Sequence, residues 1–154
     1  MRLLALFFFI SSACYSQVEP SKLLQTTIHE IRLPDKNGDT INVHSLKAKK
    51  IVIVEIWATW CAPCVAEMKK IPGLRKKFPE IEFYSISVDP SQEKMKKFIA
   101  RNQYDWPIVY AGNDEFIWEY FSIHMIPKYY FVDGNGTIVK VTESLDEKVI
   151  QGFL

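Results

Sequence analysis

The sequence predicts an α/β fold around one mixed sheet, and two observations carry that prediction. Two continuous apolar runs, "KKIVIVEIW" and "IEFYSISV", alternate with helix-period segments, as parallel strands covered on both faces do. A hairpin and a terminal helix then follow in "KYYFVDGNGTIVKV" and "SLDEKVIQGF", which adds antiparallel strands to the sheet. The chain has 154 residues, 48% of them hydrophobic, enough for one domain with a single core. A formal net charge of +1 gives no electrostatic footprint for nucleic acid or an anionic surface. At 14% aromatic content, single Phe and Tyr residues are accounted for by the core.

Taken in order, "MRLLALFFFISSACYSQ" has one basic residue, an apolar run and then small residues, the layout of a secretory signal peptide. The run is far shorter than the roughly 20 residues of a membrane-spanning helix. Cleavage after Ser16 is the favoured reading; the alternative is lipidation of Cys14 as a membrane anchor. Residues 1–16 are therefore expected to be a signal, 17–27 a linker and 28–154 the domain. "TIHEIRLPDKNGDTINVHSL" reads as two short strands turned by Pro34, Asn37-Gly38 and Asp39. Ala62 to about Lys77 is helical in pattern, with an interruption expected at Pro72-Gly73. Asp89-Pro90 stops the second central strand, and Ser91 is the expected cap of the helix after it. "WPIVY" is a short strand, 114–121 a short aromatic-rich helix, and Ser144 the expected cap of the last helix.

Within "EIWATWCAPCVAEM", Cys61 and Cys64 sit where a buried strand meets a helix. Once Cys14 is removed or lipidated, they have only each other in an oxidising compartment. One CxxC supplies two of the four ligands a structural zinc needs, and His29, His44 and His124 lack the spacing of a second pair. Val65 follows the second cysteine where haem attachment needs histidine, so neither metal nor other cofactor is expected. As a staple, a four-residue ring is worth only about 2 kcal/mol. The redox reading explains more. A cysteine at a helix N-terminus has its thiolate stabilised by free N–H groups and the helix dipole. Pro63 fits the first helical turn, and Cys64, one turn inward, can resolve a mixed disulfide formed by Cys61.

"WATWCAPC" resembles the active-site motif of the thioredoxin superfamily, and "WATWCAPCVAEM" its extracytoplasmic TlpA-like and ResA-like branch. The likeness runs from about Ile28 to Phe153 and takes in "ISVDPSQEKMKKFI" and "IPKYYFVDGNGTIV". It implies a thioredoxin-like fold with an N-terminal strand-pair extension. Glu55, six residues before Cys61, matches the buried acid of thioredoxins; a carboxylate inside "IVIVEIW" is independently expected to be driven toward its protonated form. The implied role is proton transfer with Cys64; the bland alternative is an edge position or a salt bridge. Glu67 resembles the acid that ResA-like proteins keep near their thiols, against the alternative of a surface pair with Lys70. About one X-Pro bond in twenty is cis, yet the resemblance implies a cis Ile126-Pro127 bond, with Ile126 offering backbone hydrogen bonds to substrate. Trp57 is read as core, and Trp60 as a shield over the thiols and part of the docking surface with Pro63. Two positions depart from the family: Lys69 replaces a frequent proline, and Lys128 a frequent small polar residue after the cis-proline.

The expected activity is therefore an exported thiol–disulfide oxidoreductase, periplasmic or lipid-anchored and monomeric. It would reduce disulfide-bearing protein substrates, apocytochrome c being one suggested by resemblance, and be re-reduced by a membrane thiol reductant. An oxidant or isomerase using the same cysteines, or a binding module with an inert disulfide, are the alternatives. A peroxidase is disfavoured by Ala58 at the place of a usual threonine.

Overall fold

The computed structural model describes residues 22–46 and 50–154. The expected signal segment, Cys14 and the start of the expected linker lie outside them. A two-stranded antiparallel sheet comes first, β1 (Arg32–Pro34) with β2 (Thr40–Asn42), followed by a 3-10 turn at Val43–Leu46. Asp35 makes its turn: Oδ1 accepts from the backbone N–H groups of Asn37 at 2.7 Å and Asp39 at 3.0 Å, and Gly38 takes the left-handed φ of 93°. Gln25 donates to the Ile138 carbonyl and Ile28 to that of Gly136, both at 2.8 Å, so the chain before β1 lies along the C-terminal hairpin.

The main sheet holds β3 (Ile51–Trp57), β4 (Ile81–Ser87), β5 (Ile108–Tyr110), β6 (Lys128–Asp133) and β7 (Ile138–Thr142), in the spatial order β5-β4-β3-β6-β7. β3, β4 and β5 are parallel; β6 is antiparallel to β3 and to β7. This is the mixed sheet the sequence predicts. Every residue of β3 is buried, because it has a partner on each side and cover on both faces. Its register sets Glu55 opposite Ser85 on β4 and Tyr129 on β6, and residues paired in this way share one face of the sheet.

The helices are α1 (Ala62–Met68), α2 (Ile71–Lys77), α3 (Gln92–Asn102), α4 (Glu115–Tyr120) and α5 (Glu147–Gln151). Two expectations need correction. The active-site helix breaks at Lys69-Lys70 rather than at Pro72-Gly73, which lie inside α2. Pro72 has no N–H for the Met68 carbonyl, and its ring would clash with that oxygen, so the break falls one turn before the proline. The cap of α5 is Asp146, whose carboxylate accepts from Lys148 N, and not Ser144, whose carbonyl accepts from Thr142 Oγ1. Ser91 holds the cap position of α3 in extended conformation, but its hydroxyl makes no capping bond.

Candidate active site

β3 delivers the chain to the rim of the sheet at Trp57, and Ala58-Thr59-Trp60 turns it into α1. Cys61 N donates to the Ala58 carbonyl at 3.1 Å, closing that turn. Cys61 is itself the cap of α1: its backbone is extended, and its Sγ accepts from Cys64 N at 3.2 Å. Pro63 occupies the first turn, where a missing N–H is harmless. The two cysteines form a disulfide, with sulfurs 2.04 Å and Cα atoms 5.2 Å apart. Cys64 is fully buried, whereas Cys61 keeps 5% exposure, so Cys61 is the cysteine of the pair that solvent reaches.

The Ile126-Pro127 bond is cis, as the resemblance implies. The Ile126 carbonyl oxygen lies 3.7 Å from Cys61 Sγ, so the loop before β6 and the first turn of α1 meet at that sulfur. Trp60 is 62% exposed. Met125, beside Ile126, is a second exposed apolar side chain; its place in "MIP" was the signal that sequence reading left unused. Trp57 is core. His124 is exposed, and Lys128 is half-buried at the start of β6.

Glu55 is fully buried and belongs neither to an edge nor to an ion pair among the described residues. Ser85 Oγ donates to its Oε2 at 2.5 Å and Tyr129 Oη to its Oε1 at 3.3 Å; Trp106 Nε1 in turn donates to Ser85 Oγ at 2.9 Å. Burial pushes the Glu55 carboxyl up to about 7 against the pull of those two hydroxyls, and the Glu67 charge adds to the push. Glu67 is tied twice. Its Oε1 receives Lys70 Nζ at 2.7 Å, the pairing that the sequence offers as the alternative, and its Oε2 accepts from Leu145 N at 3.0 Å.

Sequence reading missed Asp89, treating it as a strand stop. Its side chain is fully buried behind the Cys61 loop, holding Thr59 and Ser87. Among the described residues, no cluster of three or more His, Cys, Asp or Glu side chains is placed to hold a metal ion.

A mixed five-stranded sheet with a CxxC disulfide at the first helical turn after its central strand, facing a cis-proline loop, defines a thioredoxin-like dithiol protein. The chain belongs to the AhpC/TSA family, whose profile matches residues 24–141. It is similar to the thiol-disulfide oxidoreductase ResA of Oceanobacillus iheyensis, 29% identical over 117 residues that span 75% of this chain and 56% of that protein. To ResA of Bacillus subtilis it is 26% identical over 125 residues, 79% of this chain and 69% of the relative. The thioredoxin domain of a thiol-disulfide oxidoreductase from Bacteroides vulgatus superimposes with a TM-score of 0.76 at 24% identity, covering 84% of this chain and 96% of that one, and shares the fold.

Proposed function

We propose that the protein is an extracytoplasmic thiol–disulfide oxidoreductase that reduces protein disulfides. The observation that carries this reading is the asymmetry of the pair: a cap-position Cys61 beside the Ile126 carbonyl, backed by a wholly buried Cys64. In the reduced state the Cys61 thiolate attacks one sulfur of a substrate disulfide and expels the other as a thiolate. Cys64 then gives its proton to the Glu55 carboxylate and attacks Cys61 Sγ. This closes the Cys61–Cys64 disulfide and releases the second substrate thiol, so two electrons pass to the substrate. A carboxyl titrating near 7 can both accept and return that proton at neutral pH. Trp60, Pro63, Ile126 and Pro127 receive the substrate backbone as a short strand addition, and Glu67 tunes the pair from the next turn of α1.

An exported location follows from the layout of residues 1–16, by cleavage after Ser16 or lipidation at Cys14. Among the described residues, no helix is long and apolar enough to cross a membrane. Re-reduction then falls to a membrane thiol reductant, and disulfides of apocytochrome c are the substrates that the ResA likeness favours. The test is the equilibrium potential of Cys61/Cys64 together with insulin reduction by dithiothreitol. A value at or below about −250 mV, with catalysis lost in Cys61→Ser, is expected; a value above about −180 mV would make the protein an oxidant or isomerase.

A further inference from the structure

We propose that Asp89 is a positioning residue for Cys61, acting through Thr59. Asp89 follows β4, and its carboxylate is fully buried without a cationic partner among the described residues. Oδ1 accepts from Thr59 N at 3.0 Å and from Thr59 Oγ1 at 2.6 Å. Oδ2 accepts from the same Thr59 N at 3.1 Å and from Ser87 Oγ at 2.8 Å, while Asp89 N donates back to Ser87 Oγ at 3.2 Å. Both the main chain and the side chain of Thr59 are thus held by one carboxylate. Val88 N adds a 2.9 Å bond to the Trp57 carbonyl, the last residue of β3. A buried carboxylate is a poor way to gain stability, since an apolar group of similar volume usually does as well. It does fix direction, because each donor must point at it.

One residue separates Thr59 from Cys61, and the Cys61 N bond to Ala58 closes the turn across it. The placement of Cys61 Sγ against Cys64 N and the Ile126 carbonyl is inherited from that anchor. Released, the turn no longer holds Sγ at the N–H that favours the thiolate, and Cys61 reacts more slowly at neutral pH. A carboxylate acting only through its charge would do the reverse: its removal would favour the thiolate and speed Cys61 up. The two mechanisms have opposite signs.

The inference rests on Cys61 being the attacking thiol, so its test needs no protein substrate. The fully reduced full-length protein is treated with iodoacetamide across pH, and modification of Cys61 is followed by peptide mass. Asp89→Ala is expected to slow Cys61 about tenfold at neutral pH and to move its profile up by about one pH unit. Asp89→Asn, which still offers Thr59 an acceptor, recovers most of that loss. Thr59→Val slows Cys61 in the same direction and Thr59→Ser restores it. The Asp89→Ala/Thr59→Val pair is no slower than its slower member, as residues in one network are non-additive. Faster modification in Asp89→Ala, additive effects, or an unchanged profile beside a lowered Tm would each overturn the proposal. Should Asp89→Ala fail to fold, the Thr59→Val and Thr59→Ser profiles decide alone. Wild-type insulin reduction, measured in parallel, tests the oxidoreductase reading separately.

Discussion

Two buried carboxylates, one within β3 and one just past the end of neighbouring β4, have surroundings that differ in kind. Glu55, in the middle of β3, accepts among the described residues only from the hydroxyls of Ser85 and Tyr129, both rotatable donors on neighbouring strands. Asp89, just past β4, accepts from a backbone N–H as well as from two hydroxyls, and so grips the main chain of the Cys61 loop. A group without a main-chain partner can change its proton while the backbone stays where it is. A group that holds main chain cannot change without moving the loop. Under the proposed mechanism, Glu55 is the proton side of the site and Asp89 its anchor side.

The strongest way to break that contrast is to titrate stability. The Glu55 carboxyl lies at about 7 in the fold against 4.5 for the free group. Between those values the folded chain binds more protons than the unfolded one, so stability falls as pH rises. The contribution is fully present below about pH 4.5 and lost by passage through about pH 7. The difference in unfolding free energy between wild type and Glu55→Gln is therefore expected to shift by about 3 kcal/mol between pH 4 and pH 8, of the order set by 1.36 kcal/mol per unit. Denaturant melts at several pH values check this. A flat difference would place a fixed charge at Glu55.

The same substitution should lower steady-state turnover at neutral pH by about a hundredfold, the lower range of acid–base contributions. The first attack by Cys61 should be spared, so a mixed disulfide accumulates where wild type shows none. Rapid-quench mass analysis separates the two steps. Equal rates in Glu55→Gln and wild type at every pH would remove proton transfer from Glu55.

How far the sequence foretells this site depends on whether a feature is local. The burial of β3 is legible because "IVIVEIW" has no polar face to offer solvent, and the same run marks Glu55 as out of place. The helix after it is legible from its period, but the break at Lys69-Lys70 is not read from Pro72 unless its effect on the carbonyl four residues back is counted. Ser144 and Asp146 are both capping residue types two positions apart, so the sequence alone does not separate them, and the structure places Asp146 at the cap of α5. The partners of Glu55 come from strand register, 30 and 74 residues away, and nothing local fixes register. Asp89 escaped for the opposite reason: "SVDP" is so complete as a strand ending that the carboxylate has no further work to explain. The Leu145 N–H on Glu67 has no signal in the chain at all.

Removing donors from Glu55 sharpens the contrast with a smaller effect. Ser85→Ala deletes the 2.5 Å bond that pulls the carboxyl down, so Glu55 should titrate higher still and the acid limb of the turnover profile, where the accepting carboxylate is lost, should move up by about one pH unit. Tyr129→Phe acts in the same direction through a longer bond and should move it less. Ser85→Ala also leaves Trp106 Nε1 without its acceptor, which costs about 1–3 kcal/mol of stability. A downward shift in either variant would contradict the roles assigned to these hydroxyls.

The smallest expected effect belongs to Glu67. Its bond to Lys70 joins a mostly shielded carboxylate to a half-exposed ammonium, and such pairs contribute about 0.2–1 kcal/mol. Glu67→Gln gives up that pair but keeps an oxygen for Leu145 N, so Tm should fall by only a few degrees. The lost charge lightens the upward push on Glu55, and the wild-type Glu55 titration should move down by a few tenths of a pH unit. Modification of Cys61 by iodoacetamide then decides what Glu67 is. If its profile is unchanged, Glu67 is a tie between α1 and the loop before α5 that touches the chemistry only through Glu55. If the profile shifts with the charge, the acid acts on the thiols directly, and the site has a third carboxylate in its chemistry.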